Sequence, residues 1–233
     1  MAMSTAPSRS MRAPWVLTWT VPIAAQVGVS VWFASSFRFE SPEMLFFIVT
    51  LAASICVATS AAVIHRAFRT NEAELASLGT FFYAVSVLPL VHGVTTPGVL
   101  FDPNSATSIS VLLAIPLGLL AVAPFVARNS EAARWLRGQW RTWITTALSA
   151  MTLVALALLL APKALPAAEM RHPVTVGIAV ASVLGCLALS YRHLTLARIA
   201  ERHSPLVVSL GFGMVGASAL VWLTAAPYDA GFW

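Results

Sequence analysis

Seven apolar runs, each long enough to cross a lipid bilayer, constrain this chain more than any single motif in it. They fall at about residues 14–36, 44–64, 74–95, 107–127, 141–161, 173–192 and 204–226. A hydrocarbon core about 30 Å thick takes roughly 20 residues at 1.5 Å each, and inside it every backbone N–H and C=O must be satisfied within the segment. Only 10% of the residues are charged and the mean hydropathy is +0.81. A soluble domain carries about 25% charged residues, so this chain could not cover its surface with polar groups in water. The expected fold is all-α: a bundle of seven transmembrane helices forming one membrane domain over 14–233, preceded by a polar tail at 1–13. Trp15–Phe37 is too long for the h-region of a cleaved signal peptide and has no convincing cleavage site, so it reads as the first span.

The net charge of +5 and pI near 10.0 would suit a nucleic-acid partner if the basic residues formed a patch. They lie instead in short clusters between apolar runs, as orienting charges do, so the expected partner is the bilayer and not nucleic acid. Arg9, Arg12, Arg66, Arg69, Arg128, Arg134, Arg137, Arg141, Arg192, Arg198 and Arg202 fall on one side, and Arg38, Lys163 and Arg171 on the other. The positive-inside rule then puts the N-terminus in the cytoplasm of a multi-pass cell-membrane protein, of the bacterial inner-membrane kind. Seven spans leave the C-terminus outside. Asp229 and Gly231 would suit an outer turn before an eighth helix beginning near Phe232, as if the chain were a piece of a longer module. In that case the small-residue face Ser209, Gly213 and Ala217 is left toward lipid or toward a second subunit. Between spans four and five, Arg128–Trp143 mixes tryptophan with arginine and reads as an interfacial amphipathic segment beside anionic headgroups.

The candidate site is the stretch from Leu88 to Leu100. Pro89 removes a backbone donor near a helix end, and Pro97-Gly98 is a turn signal. Between them His92 should pack against the bundle and hydrogen-bond to a threonine hydroxyl or to a carbonyl freed by Pro89. Thr95, Thr96 and Pro97 complete the cluster, and Asp102 and His172 belong to the same outer half. Gln26, near the middle of the first span, is expected to bond a neighbouring helix. Ser41-Pro42-Glu43 reads as a helix start, and Thr70–Glu74 as the cap of the following helix. Cys56 and Cys186, each inside an apolar run, read as small buried hydrophobes.

Several chemistries are disfavoured. Gly211-Phe-Gly-Met-Val-Gly216 has the spacing of a dinucleotide loop but lies inside an apolar run with no preceding strand. Lys163, the single lysine, lies in a connection, so no span offers a Schiff-base partner for retinal. No ionisable residue lies near a span centre, which weakens a pump or proton-coupled transporter.

Leu88-Pro-Leu-Val-His-Gly-Val-Thr-Thr-Pro-Gly98 resembles a motif of the N-terminal multi-helix membrane regions of bacterial signalling proteins, which precede cyclase, diguanylate cyclase or kinase domains. The resemblance implies an outward-facing sensory site at His92, Thr95, Thr96 and Pro97, no catalytic residue, and a cytoplasmic signalling partner or a second copy of the chain. These 233 residues include no cytoplasmic output domain, in departure from that pattern. Two other readings stand beside this one. The first is a small transporter or permease, which should show water-lined polar faces on several helices. The second is a metal or haem protein built on His92 and His172. The cofactor is left open.

Overall fold

The computed structural model of the chain describes residues 20–21, 23–28, 41–127, 130–166, 172–200 and 203–224. Trp15, Trp19, Trp32, Arg9, Arg12, Arg38, Arg128, Glu169, Arg171, Arg202 and the segment Tyr228–Trp233 lie outside them. Among the described residues all regular structure is helical: α1 (Pro42–Thr70), α2 (Ala73–Val94), α3 (Ala106–Val126), α4 (Glu131–Gly138), α5 (Trp140–Leu160), α6 (Pro173–Ala200) and α7 (His203–Thr224). A further helical stretch covers 23–28. Five helices are long and apolar enough to span a membrane, namely α1, α2, α3, α5 and α6 from Pro173 to Ala197, and the apolar part of α7 is the shorter Ser204–Leu220. The chain is therefore a multi-pass helical membrane protein. Its residues fall into two units, Phe39–Ile178 and a second made of Met1–Arg38 with Ala179–Trp233.

In the first unit α2 is central, packing on α1, α3 and α5. It is the most buried span, at 61% of its apolar window against 17% for α1. Two glycines explain how closely α1 approaches it. A Cβ at Gly79 would lie 2.7 Å from Ile64 Cγ1, and one at Gly93 would lie 2.7 Å from Thr50 Oγ1 and 3.0 Å from the Thr50 backbone nitrogen. Gly79, Ser86 and Gly93 are seven apart on α2, as are Thr50, Val57 and Ile64 on α1. Two antiparallel heptad stripes, small against branched, thus face each other, and packing instead of hydrophobicity holds them, because lipid is as apolar as the side chains. On the α3 side, a Cβ at Gly118 would meet the buried Phe81 ring at 2.8 Å.

The helix boundaries have local causes. Ser41 caps α1, its hydroxyl accepting from Met44 N at 3.2 Å, with Pro42 in the first turn as expected. The next boundary corrects the sequence reading. Thr70–Glu74 supplies no side-chain cap for α2; Thr70 Oγ1 donates back to Arg66 O, and Asn71 ends α1 in the left-handed conformation at φ 59°. Asparagine tolerates that conformation where most residues do not. Pro89 in α2 and Pro116 and Pro124 in α3 lie within continuous helices.

At the end of this unit where α1 and α3 finish, two arginines take up orphaned carbonyls. Arg137 donates to Pro124 O at 2.6 Å and Ala127 O at 3.4 Å, and Arg141 donates to Phe68 O at 3.1 Å and Asn71 Oδ1 at 3.3 Å. Arg141 also lies over the rings of Phe68 and Trp140. A helix C-terminus carries roughly half a negative charge and four unpaired carbonyls, so a guanidinium there is favourable. These arginines tie α4 and the start of α5 to the ends of α3 and α1. Beneath them Ala67, Ala76, Phe125 and Ile144 form a small apolar core.

In the second unit α6 and α7 share a reciprocal serine pair. Ser190 Oγ donates to Ser209 O, and Ser209 Oγ donates to Ser190 O, both at 2.7 Å and both fully buried. The small-residue face of α7 is not left toward lipid or a second subunit. Ser209 and Ala217 are buried, and Gly213 is closed over by Ile23 and Ser190. Cys186 is buried beside Gly216, whereas Cys56 is exposed on α1, against the expectation of two buried thiols. Ser190→Ala and Ser209→Ala should each cost about 1 kcal/mol, and a double-mutant cycle read by unfolding in detergent should show coupling of about the same size. Strictly additive single effects would mean that the pair is not shared.

Candidate functional site

The stretch that follows α2 folds into a buried polar knot. Its origin lies in two helix ends that meet. The last carbonyls of α2 and the first N–H groups of α3 all lack intrahelical partners, and the eleven residues Thr95–Ser105 bring them together. Gly98, at φ 91°, makes the reversal possible and donates its N–H to Phe101 O at 2.9 Å; Pro97 bridges Phe101 across the same turn.

His92 sits in the last turn of α2, 7% exposed, with Nδ1 2.8 Å from Thr107 O in the first turn of α3. A carbonyl can only accept, so Nδ1 carries the proton. This bond matches the expectation of a local backbone carbonyl, although the oxygen belongs to the next helix and not to the stretch that Pro89 frees. Thr95 and Thr96, at 0% and 2% exposure, turn their hydroxyls back to Val91 O at 2.8 Å and His92 O at 3.1 Å, closing the α2 end.

Asn104 is the centre of the knot. Its Nδ2 donates to Thr95 O at 2.8 Å and Asp102 O at 2.9 Å, while Oδ1 accepts from Thr107 N at 3.2 Å. The Thr107 hydroxyl lies 3.0 Å from Thr95 O and 3.1 Å from Asn104 Oδ1, and gives its one proton to either. The start of α3 is held from a third side. Pro162 O, just beyond α5, accepts from Ser105 N at 3.0 Å, Ala106 N at 3.1 Å and Ser105 Oγ at 2.9 Å. The knot therefore fastens the ends of α2, α3 and α5 together.

Among the residues singled out from sequence, His92, Thr95, Thr96 and Pro97 converge here. Asp102 contributes its backbone oxygen, while its carboxylate makes an exposed pair with Lys163 at 3.7 Å, a kind of contact worth little in solvent. His172 is exposed and accepts from Val174 N through Nδ1 at 3.3 Å, as a cap for α6. Its bond to Val174 is separate from the bond of His92 to Thr107, and no cluster of three His, Cys, Asp or Glu suited to a metal occurs among the described residues. Gln26 lies in the other unit, where Nε2 donates to Ser218 Oγ at 2.6 Å and Met214 O at 3.3 Å, the interhelical bond expected of it. Asn104, Ser105, Thr107 and Pro162 are the members that sequence reasoning missed. The spacing Asn104-x-x-Thr107, a side-chain acceptor three residues before a helical N–H, was the available signal for two of them.

Chemically the knot offers several hydroxyl, amide and imidazole groups in a largely buried cluster, where a missing bond is costly. No family model matches the chain, and neither a curated protein nor a solved structure is significantly similar to it.

Proposed function

We propose that the protein is a membrane signal-input module without catalytic activity of its own, and that the knot around His92 and Asn104 is its sensory element. The observation that carries this reading is a buried polar cluster joining three spans at one end, while arginines tie two of the same spans at the other. A single continuous helix, α3, has Thr107 in the knot and its Pro124 carbonyl held by Arg137. A ligand or physical signal that opens or stiffens the turn at Pro97–Phe101 would move that rod, about 30 Å long at 1.5 Å per residue. Leu100, 63% exposed at the tip of the turn, is the accessible handle.

The proposed topology has seven spans, with the N-terminus and the arginine-rich end in the cytoplasm and the knot outside. The listener is a cytoplasmic signalling protein or a second copy of the chain. The transporter reading is less well supported. Hydroxyls on α2 and α3 turn back on their own helices, Ser77 to Glu74 O, Thr80 to Ala76 O, Ser86 to Phe82 O and Ser110 to Thr107 O, and the mid-span Tyr83 hydroxyl is taken up by Thr152 of α5 at 3.0 Å.

Cysteine accessibility tests the orientation. In a background without Cys56 and Cys186, a thiol at Leu100 should react with a membrane-impermeant maleimide added outside, and one at Ser130 only after the membrane is opened. Labelling of Ser130→Cys from outside would remove the sensory reading, because the knot would then face the cytoplasm.

A further inference from the structure

We propose that the exposed face of α4, built on Arg134 and Trp135, is a docking surface for anionic phospholipid headgroups. The helix has eight residues and two faces. Ala133, Leu136 and Arg137 are turned to the protein, Ala133 fully buried and Arg137 holding the α3 carbonyls. Glu131, Arg134, Trp135 and Gly138 recur at the i, i+3, i+4, i+7 spacing of the opposite face, and all four are exposed.

The position of α4 is dictated by its neighbours. It connects one apolar span ending at Val126 to another beginning at Trp140, and its own Arg137 holds it against the end of α3, while Arg141 ties the following span to the end of α1. A short polar helix so placed lies at the headgroup layer. Trp135 is 62% exposed there, and an indole is amphipathic enough to prefer that layer to either water or hydrocarbon. The charge of the surface selects the lipid. Exposed Arg66 and Arg69 at the end of α1 and Arg134 on α4 join Arg137 and Arg141, so that five arginines face three glutamates, Glu72, Glu74 and Glu131. Arg134 does meet Glu131 at 3.8 Å, but with 63% and 95% of the two side chains exposed that pair holds the guanidinium weakly and leaves it able to reach a phosphate. A guanidinium beside an indole provides what a phosphodiester with an attached acyl chain requires: a bidentate anion donor next to an apolar ring. The partner is thus a lipid of net negative charge, such as phosphatidylglycerol, in the leaflet at the arginine-rich end. Zwitterionic lipid offers the same phosphate but repels the arginines with its own cation.

The test uses the full chain reconstituted in bilayers holding equal fractions of photoactivatable phosphatidylglycerol or photoactivatable phosphatidylcholine, with cross-links mapped by mass spectrometry to residues 130–142. The anionic lipid should cross-link there about fivefold more than the zwitterionic one, one basic residue near an anionic surface being worth about that factor. Arg134→Gln should bring the ratio toward one, Glu131→Gln should raise it, and Trp135→Ala should lower cross-linking by both lipids. These side chains are exposed, so the variants keep the fold, which size-exclusion chromatography checks. Equal cross-linking by the two lipids in the unaltered protein, or a ratio indifferent to Arg134→Gln, would overturn the proposal. So would a face that no lipid reaches because a protein partner covers it.

Discussion

Replacing Asn104 by alanine is expected to destabilise the protein by about 2 kcal/mol, because one half-buried amide serves both helix ends of the knot. Asp102 O and Thr107 N lose a partner, while Thr95 O keeps the Thr107 hydroxyl at 3.0 Å. Asp102 is exposed, so water can replace the amide there, and the cost falls mainly on the buried Thr95–Thr107 side. Asn104→Asp is nearly the same size and should be no better, because a carboxylate would then face the two carbonyls to which Nδ2 donates. His92→Phe should also destabilise, although Thr107 O keeps the Ser110 hydroxyl as a donor at 3.1 Å. Thermal or denaturant unfolding in detergent ranks the three variants, and Asn104→Asp at the stability of the unaltered protein would show that the amide donor is not the critical group.

A second large effect is steric. Gly93→Val should cost about 3 kcal/mol or prevent folding, because overpacking a close helix contact forces backbones apart. The added Cβ meets Thr50 Oγ1 at 2.7 Å, Thr50 N at 3.0 Å and Val49 Cγ1 at 3.1 Å. Two of those three neighbours cannot be relieved by removing the threonine side chain. Gly93→Ala should therefore be rescued in part by Thr50→Ala, whereas Gly93→Val should not. The Thr50 hydroxyl has no hydrogen-bond partner of its own, so its truncation alone should be close to neutral. Unfolding of the four variants, compared as a cycle, checks the contact; a fully tolerated Gly93→Val would contradict the close approach of α1 and α2.

The spans were legible because each one is a property of a continuous window. The runs at 44–64, 74–95, 107–127, 141–161 and 173–192 lie within or overlap α1, α2, α3, α5 and α6 to within a few residues at most boundaries. The exceptions are informative. The carboxyl end of α1 extends to Thr70 because Asn71 stops it, not because lipid does, and α6 likewise continues past its apolar run to Ala200. The heptad match between Gly79, Ser86, Gly93 and Thr50, Val57, Ile64 was hidden because neither stripe means anything until the helices are laid antiparallel. In the site, His92 stood out as the one imidazole among apolar neighbours and threonines. Its partner did not, because Thr107 contributes a backbone oxygen that no side-chain pattern reveals. Asn104 looked like any turn asparagine, and the Pro162 carbonyl, 57 residues beyond Ser105, had no signature at all. Arg137 and Arg141 were read as orienting charges; that they also cap two helices depends on where α1 and α3 end.

If the knot is the sensory element proposed, it and the arginine-tied end respond together through α3. Backbone hydrogen exchange on the reconstituted protein, comparing the unaltered chain with His92→Phe, measures this most directly. His92→Phe is chosen because it removes the bond from the end of α2 to Thr107 O at the start of α3. Faster exchange is expected both at 92–107 and at 130–142, with the mid-span amides of α1 unchanged. Faster exchange confined to 92–107, with 130–142 indistinguishable from the unaltered chain, would contradict the sensory reading.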